Sequence, residues 1–285
     1  MKSISTVKEL QASLKKLNLA PVGLVPTMGA LHEGHLSLVE RVITDCPVVV
    51  VSIFVNPTQF NDKNDLKNYP RDLDKDLGLL KNILRENDLL FTPSVEEIYP
   101  EEDKRVFNFG NLDKVMEAKH RPGHFNGVGQ VVSRLFDIVK PDIAIFGQKD
   151  FQQLAVIKEL VRQTNNKVKI IGSPIIREKD GLAMSSRNQL LETEIRKNAP
   201  VIFKAISSAA EMIRDQDIPE IKKFVNSLIN SIPGFSVEYF EIADDEELIP
   251  VNSRDKMDHK KKYFGCIAVK AGNIRLIDNI EIRLD

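Results

Sequence analysis

Three short stretches carry side chains whose types and spacing suit phosphate chemistry, and a fourth set of residues suits a small polar substrate. The first, PTMGALHEGH from Pro26 to His35, sets two histidines three residues apart behind a glycine and ahead of an apolar helical pattern. Gly29 permits a tight turn that lets backbone N–H groups approach a ligand, and the helix start that follows favours negative charge. Phosphate is the natural guest. His32 and His35 share one helix face, and Gly34 removes a side chain that would stand between them and the ligand. A zinc site is the competing explanation, but H-E-x-x-H proteases space their histidines four apart, and HEGH is one residue short. A single histidine here would read as a cap or a core residue; a pair on one face reads as functional.

The second stretch, FGQKD, offers Lys149 to offset charge on a triphosphate, while Gly147 leaves room for a nucleotide beside the backbone. Asp150 doubles as a candidate N-cap for the helix that follows. In the third, GLAMSSRN, Ser185 and Ser186 are hydroxyl donors and the Arg187 fork can engage phosphate oxygens in pairs. The fourth element is a set of neutral groups, Asn56 and Gln59 in VNPTQF and Gln153 in FQQL, suited to a hydroxyl or carboxylate substrate. Asp72, Asp74 and Asp76 in RDLDKDL are candidates to help hold a Mg²⁺ bound mostly by phosphate and water, with Asp76 taken as the metal residue; the same alternation also suits a solvated helix face.

These stretches need a frame, and the hydrophobic pattern supplies one. VKELQASLKKL is a helix, GLVPT a short strand ending in a glycine turn, LHEGHLSLVERV a helix, and PVVVVSIFVNP a β-branched run of the kind buried on both faces of a parallel sheet. The alternation continues through a helix from Asp72 to Glu86, strand DLLFTPS, helix GVGQVVSRLFDIVK, strand DIAIFG, helix FQQLAVIKELVRQ and strand VKIIGSP. Repeated crossovers predict a Rossmann-like α/β fold, a doubly wound parallel sheet whose ligands lie beyond the carboxyl ends of the strands. After Ile176 the pattern changes to helices at Ile195 to Arg214 and Pro219 to Ile232, then strands SVEYFEIAD, YFGCIAVKAG and IRLIDNIEI. The expected domains are therefore 1–175, binding the nucleotide and small substrate, and a smaller α+β unit at 176–285. The HKKK run at His259 to Lys262 reads as a solvated loop.

Composition narrows the function classes. A net charge of −1 provides no long-range field for nucleic acid or anionic lipid, so any anion site must be local. Two cysteines, Cys46 and Cys266, form no CxxC pair and suit a reducing compartment. The amino terminus lacks the apolar core of a signal peptide, and no apolar run spans a membrane. The expectation is a cytoplasmic protein with no nucleic-acid or membrane partner.

HEGH after a glycine turn resembles the H-x-G-H signature of the nucleotidylyltransferase superfamily, and MSSRN resembles its serine-rich phosphate loop. More narrowly, PTMGALHEGH, VSIFVNPTQF, NYPRD, RPGHFNGV, FGQKDFQQL and GLAMSSRN, in this order, resemble the pantothenate synthetase (pantoate–β-alanine ligase) family from about Gly23 to Asn188. The resemblance implies ATP-dependent condensation of (R)-pantoate with β-alanine through a pantoyl adenylate, giving pantothenate, AMP and diphosphate. It implies an ATP site made of Met28, Gly29, Ala30, Leu31, His32, Glu33, Gly34 and His35, completed by Gly147, Gln148, Lys149, Asp150, Ile176, Met184, Ser185, Ser186 and Arg187. His35, His32 and Lys149 are its catalytic candidates, with His35 as proton donor. Gln59 and Gln153 would hold pantoate, Gln59 also lying near β-alanine, and Arg121 would sit near the substrates with His124 as a structural neighbour. The family often carries Glu at the place of Gln148, so no carboxylate role is assigned there. Mg²⁺ and a homodimer are further implications. The rival readings are a superfamily transferase acting on a phosphorylated acceptor, which would call for more cations than Asn56, Gln59 and Gln153 supply, and a noncatalytic nucleotide- or RNA-binding module.

Overall fold

The structure, a computed structural model, describes residues 1–284. In chain order the first unit runs β1 (Lys2–Ile4), α1 (Val7–Leu17), β2 (Val22–Thr27), α2 (Glu33–Ile43), β3 (Val48–Ile53), α3 (Lys63–Asn68), α4 (Leu73–Lys81), β4 (Leu89–Phe91), α5 (Val95–Ile98), α6 (Met116–His120), α7 (His124–Val139), β5 (Ile143–Gly147), α8 (Phe151–Gln163) and β6 (Lys169–Ser173). The six strands pair in parallel in the order β1-β4-β3-β2-β5-β6. β3 shows why its sequence is unbroken valine. Val49 and Val51 pack on one face with Val39, Val42 and Leu80, whereas Val50 packs on the other with Leu10, Phe125 and Val128. Each buried valine contributes roughly 1.5–3 kcal/mol relative to exposure, so a polar residue at either face would open a layer.

From β2 the chain builds outward to β3 and then β4, and it later crosses to the other side of β2 to add β5 and β6. The switch in direction lies between β2 and β5, and the loops leaving their carboxyl ends diverge to leave a crevice. β2 ends at Thr27, whose hydroxyl donates to the Ser52 carbonyl (2.8 Å) and accepts from the Gly29 N–H (3.3 Å). Gly29 then takes φ +78°, a left-handed conformation that glycine adopts without strain.

The second unit comprises α9 (Thr193–Asn198), α10 (Val201–Met212), α11 (Ile218–Asn230) and the antiparallel sheet β7 (Phe235–Asp244), β8 (Tyr263–Ala271), β9 (Ile274–Ile282). Both faces of β8 are covered. Tyr263, Ile267, Val269 and Ala271 pack with α10 and α11, while Phe264 and Cys266 join the core of the first unit, with the Phe264 ring tilted against Phe151 at the base of α8, centroids 4.3 Å apart. This alternation carries β9 up against the loop after β5.

The sequence reading matches the longer elements and differs at several points, missing α3, α5 and α6, which are each six residues or fewer and too short to show a period. It has no strand before α1, because β1 is a three-residue edge strand, held by pairing Lys2 with Leu89, and too short to show a period. The helix expected to reach Glu86 stops at Lys81. The helix expected from Ile195 to Arg214 is interrupted before Pro200, which lacks the N–H needed to continue α9. The HKKK run is an exposed turn ahead of β8, as expected. Among the described residues, no helix is long and apolar enough to cross a membrane.

Candidate active site

A crevice of about 1260 Å³, counting space open to solvent, lies at the β2–β5 switch. It brings together residues from all four motifs: Met28, His32, Gly34 and His35; Asn56 and Gln59; Gly147, Lys149, Asp150 and Gln153; and Ile176, Met184, Ser185, Ser186 and Arg187. Gly29, Ala30, Leu31, Glu33 and Gln148 are not on its wall, and the Glu33 side chain is exposed to solvent. They shape the turns that carry their neighbours.

His32 is the N-cap of α2, and its Nδ1 accepts from the Gly34 N–H at 3.2 Å. An accepting Nδ1 leaves the ring proton on Nε2. Burial, reinforced by Lys149, lowers the His32 pKa to about 4, so the ring is neutral near pH 7. His35 lies in the first turn with its ring centroid 4.0 Å from that of His32. Burial, then His32 and Lys149, lowers its pKa to about 3, and its buried Nδ1 has no hydrogen-bond partner. A Cβ on Gly34 would come within 2.9 Å of the His32 ring, which explains the glycine between the two histidines.

The role expected of Asp76 is corrected. Instead of facing the crevice as a metal ligand, its buried carboxylate accepts from the Ala30 N–H (2.9 Å) and the Leu31 N–H (2.7 Å). Those are the turn's free backbone donors, so Asp76 takes the place that sequence reasoning gave to a ligand anion. Burial raises its pKa while the two N–H groups oppose that shift. Among the described residues no group of three or more His, Cys, Asp or Glu is arranged to hold a metal ion.

The serine-rich loop is likewise tied down. Ser186 is buried and donates its hydroxyl to the Ala30 carbonyl (2.9 Å), joining this loop to the histidine turn, so its proton is not free for phosphate. Ser185 caps the short 3₁₀ turn Ser186–Leu190 by accepting from the Arg187 N–H. Arg187 reaches the crevice but forms an ion pair with Asp65 of α3 at 3.0 Å and stacks over Tyr69.

On the loop after β3, Gln59 is nearly buried in a 3₁₀ turn. Its Oε1 accepts from Asn56 Nδ2, and its Nε2 lies 3.0 Å from the Met28 sulfur. Asn56 also donates to the Gly127 carbonyl and accepts from Tyr99. This packing requires glycine at 127, since a Cβ would sit 2.5 Å from the Thr58 carbonyl oxygen. His124, at the start of α7, has both nitrogens engaged: Nδ1 with the Gln59 carbonyl (2.8 Å) and Nε2 with Arg121 Nη1 (3.1 Å). Burial, then Arg121, lowers its pKa to about 4; the neutral ring therefore donates from Nδ1 and accepts at Nε2. Arg121 faces a narrower adjoining cleft that shares Lys149, Asp150 and Gln153 with the crevice.

Lys149 has few partners. Asp150, 3.9 Å away, is the one anion within 4 Å of its ammonium among the described residues. Asp150 stands at the N-cap position of α8 but makes no capping bond, leaving its carboxylate on the crevice wall. Asp65 and the β9 residues Asp278 and Asn279, which contact these loops, were absent from the sequence reading. They lie outside the motifs, and no local spacing marks them.

Comparison with known proteins covers nearly the whole chain. Residues 2–281 match the family model described as pantoate-beta-alanine ligase. The chain is similar to the pantothenate synthetases of Bacteroides thetaiotaomicron, 51% identical over 285 residues and 99% of each chain, and Bacteroides fragilis, 52% identical over the same span with 99% of each covered. Among solved structures it resembles pantothenate synthetase from Thermus thermophilus, with a TM-score of 0.91, 42% identity, and 99% of this chain and 100% of that one covered. It also resembles pantoate-beta-alanine ligase from Francisella tularensis complexed with beta-gamma ATP and beta-alanine, with a TM-score of 0.79, 34% identity, and 99% and 97% covered.

Proposed function

The chain belongs to the pantoate–β-alanine ligase family, and from that premise we propose that it condenses pantoate with β-alanine at the expense of ATP, in two steps within the β2–β5 crevice. The observation that carries this reading is the meeting of two chemistries in one crevice. Imidazoles, Lys149 and the MSSR loop line the crevice together with the neutral Asn56, Gln59 and Gln153. The cations suit a triphosphate; the neutral groups suit a small hydroxy acid.

In the first step the pantoate carboxylate attacks the α-phosphorus and diphosphate leaves. A carboxylate is already a nucleophile at neutral pH, so the protein's contribution is to orient it and stabilise charge on the phosphate oxygens. His32, neutral with its proton on Nε2, is one donor; His35, Lys149, Ser185 and Arg187 are the others, with Arg187 exchanging Asp65 for phosphate. Gln59 and Gln153 hold pantoate. In the second step the β-alanine amine attacks the acyl carbon of the adenylate, AMP leaves, and the amine proton passes to solvent or to a crevice base. Retention of the mixed anhydride in the crevice between the steps limits its hydrolysis.

Mg²⁺ belongs to this reading as a companion of ATP, bound mainly by phosphates and water. Asp150, the carboxylate on the crevice wall, fits a supporting part. The division of the chain at 175/176 also belongs here, supported by the end of the parallel sheet at Ser173 and the bridge from Arg177 to Ala183 just beyond it. Homodimerisation and a cytoplasmic location follow from the resemblance and the composition, and light scattering tests the first.

The direct experiment is mass spectrometry of products from ATP, pantoate and β-alanine, joined to exchange of labelled diphosphate into ATP. Pantoate and Mg²⁺ without β-alanine should support exchange, and hydroxylamine should trap the intermediate as a hydroxamate. Exchange that required β-alanine would replace the two-step scheme with a concerted one.

A further inference from the structure

Lys149 presents a positional problem. Its ammonium has one weak ionic contact, so the place from which it reaches a phosphate is determined by the backbone of the turn Gly147–Asp150. One side of that turn is held by the parallel sheet, where the Gln148 N–H donates to the Ser173 carbonyl at 2.8 Å. The other side is held from the second unit. The Nδ2 of Asn279, on β9, donates to the Gln148 carbonyl (2.9 Å) and the Lys149 carbonyl (3.0 Å), across 130 residues of sequence.

Three features make this contact more than incidental. Asn279 is 3% exposed, so its amide has little water to fall back on. Its Oδ1 is buried without a hydrogen-bond partner, and a flipped amide would set that oxygen against two carbonyl oxygens; the orientation is therefore dictated by the two donated bonds. The neighbouring Asp278 accepts from the Asn279 N–H and holds Arg177 through both terminal guanidinium nitrogens at 2.6 and 3.0 Å. Arg177 directly follows Ile176 on the crevice wall and bonds the Gly181 carbonyl at the root of the serine-rich loop. Successive residues of one strand point to opposite faces, so adjacent positions on β9 can secure the two loops separately.

We infer that Asn279 is a positioning residue for the ligase reaction, acting through Lys149 by fixing the two carbonyls that bracket it. The inference rests on the assignment of Lys149 to the ATP phosphates. A displacement of about 1 Å in a charge-stabilising group can cost on the order of 10²-fold in rate, so loss of the amide should be felt in the chemical step rather than in pantoate binding.

The test is a double-mutant cycle read by pantoate-dependent diphosphate exchange, using Asn279→Ala, Lys149→Ala and the double variant, with circular dichroism and thermal melting to verify folding. Asn279→Ala should lower kcat roughly 10- to 100-fold with pantoate KM changed less than about twofold. In the Lys149→Ala background the same substitution should cost less than about threefold, because its target is gone. Multiplicative losses, or a silent Asn279→Ala beside a damaging Lys149→Ala, would overturn the role of Asn279 and leave Lys149 in place. Near-normal exchange by Lys149→Ala would overturn the phosphate assignment itself. If Asn279→Ala does not fold, Asn279→Leu, which fills the same space without a donor, takes its place in the cycle, and the same outcomes support or overturn the role.

Discussion

His35 and His124 are both buried imidazoles with pKa values pushed far below 6.5, to about 3 and about 4, yet their surroundings differ in kind. His124 has a partner on each nitrogen, the Gln59 carbonyl and the Arg121 guanidinium, and joins α7 to the Asn56–Gln59 loop. His35 borders the crevice beside His32, with its Nδ1 unpartnered. A depressed histidine pKa therefore reports burial, and the hydrogen-bond inventory separates a group free to meet a ligand from one that braces the wall.

The largest expected effect comes from the free ring. His35→Ala should slow pantoate-dependent diphosphate exchange by about 10² to 10⁴, the range for general acid–base and oxyanion-type donors, with the melting temperature little changed. Near-normal exchange in a folded variant would remove His35 from the chemistry. His124→Ala should act differently, raising pantoate KM by about tenfold as the Gln59 loop loosens while kcat falls much less. If the two variants gave the same kinetic pattern, the contrast between free and engaged imidazoles would collapse.

A smaller effect tests the turn beneath the histidines. Asp76→Asn places an amide against two backbone N–H donors and should destabilise the protein by about 2 kcal/mol, measured by urea denaturation. An unchanged midpoint would mean that the Gly29–Leu31 turn stands without its carboxylate brace.

The smallest effect is one the two histidines should share. Each has a folded pKa below its unfolded value of 6.5, so the unfolded chain binds more protons as pH falls, and stability declines from pH 6.5 toward about 4 for His124 and about 3 for His35. Between pH 6.5 and 5, mostly above the carboxylate range, His35→Asn and His124→Asn should each flatten the loss of stability, by at most about 1.4 kcal/mol per pH unit. A flattening in only one variant would show that the other ring keeps an ordinary pKa despite its burial.

Much of the scaffold was legible because it rests on local periodicity. The valine run of β3, the glycine turn before HEGH and the 3.6-residue pattern of α8 each state their structure within a dozen residues, and the motifs at those strand ends converge on one crevice. The partners of individual polar groups were not legible. Asp76 looked like one of three alternating acids on a helix, and Ser186 and Arg187 looked equally available to phosphate.

The sequence alone determined the parallel α/β order, the change of architecture after Ile176 and the presence of imidazoles, a lysine and a serine-rich loop at strand ends, since each follows from residue type and short-range spacing. Only the tertiary structure decided that Asp76 fills the Ala30–Leu31 donors, that Arg187 rests on Asp65, and that Asn279 holds the Lys149 turn. These pairs lie 45 to 130 residues apart. A buried donor takes whichever acceptor the packed backbone brings within about 3 Å, and that approach is a property of how sheets and helices stack rather than of any sequence interval.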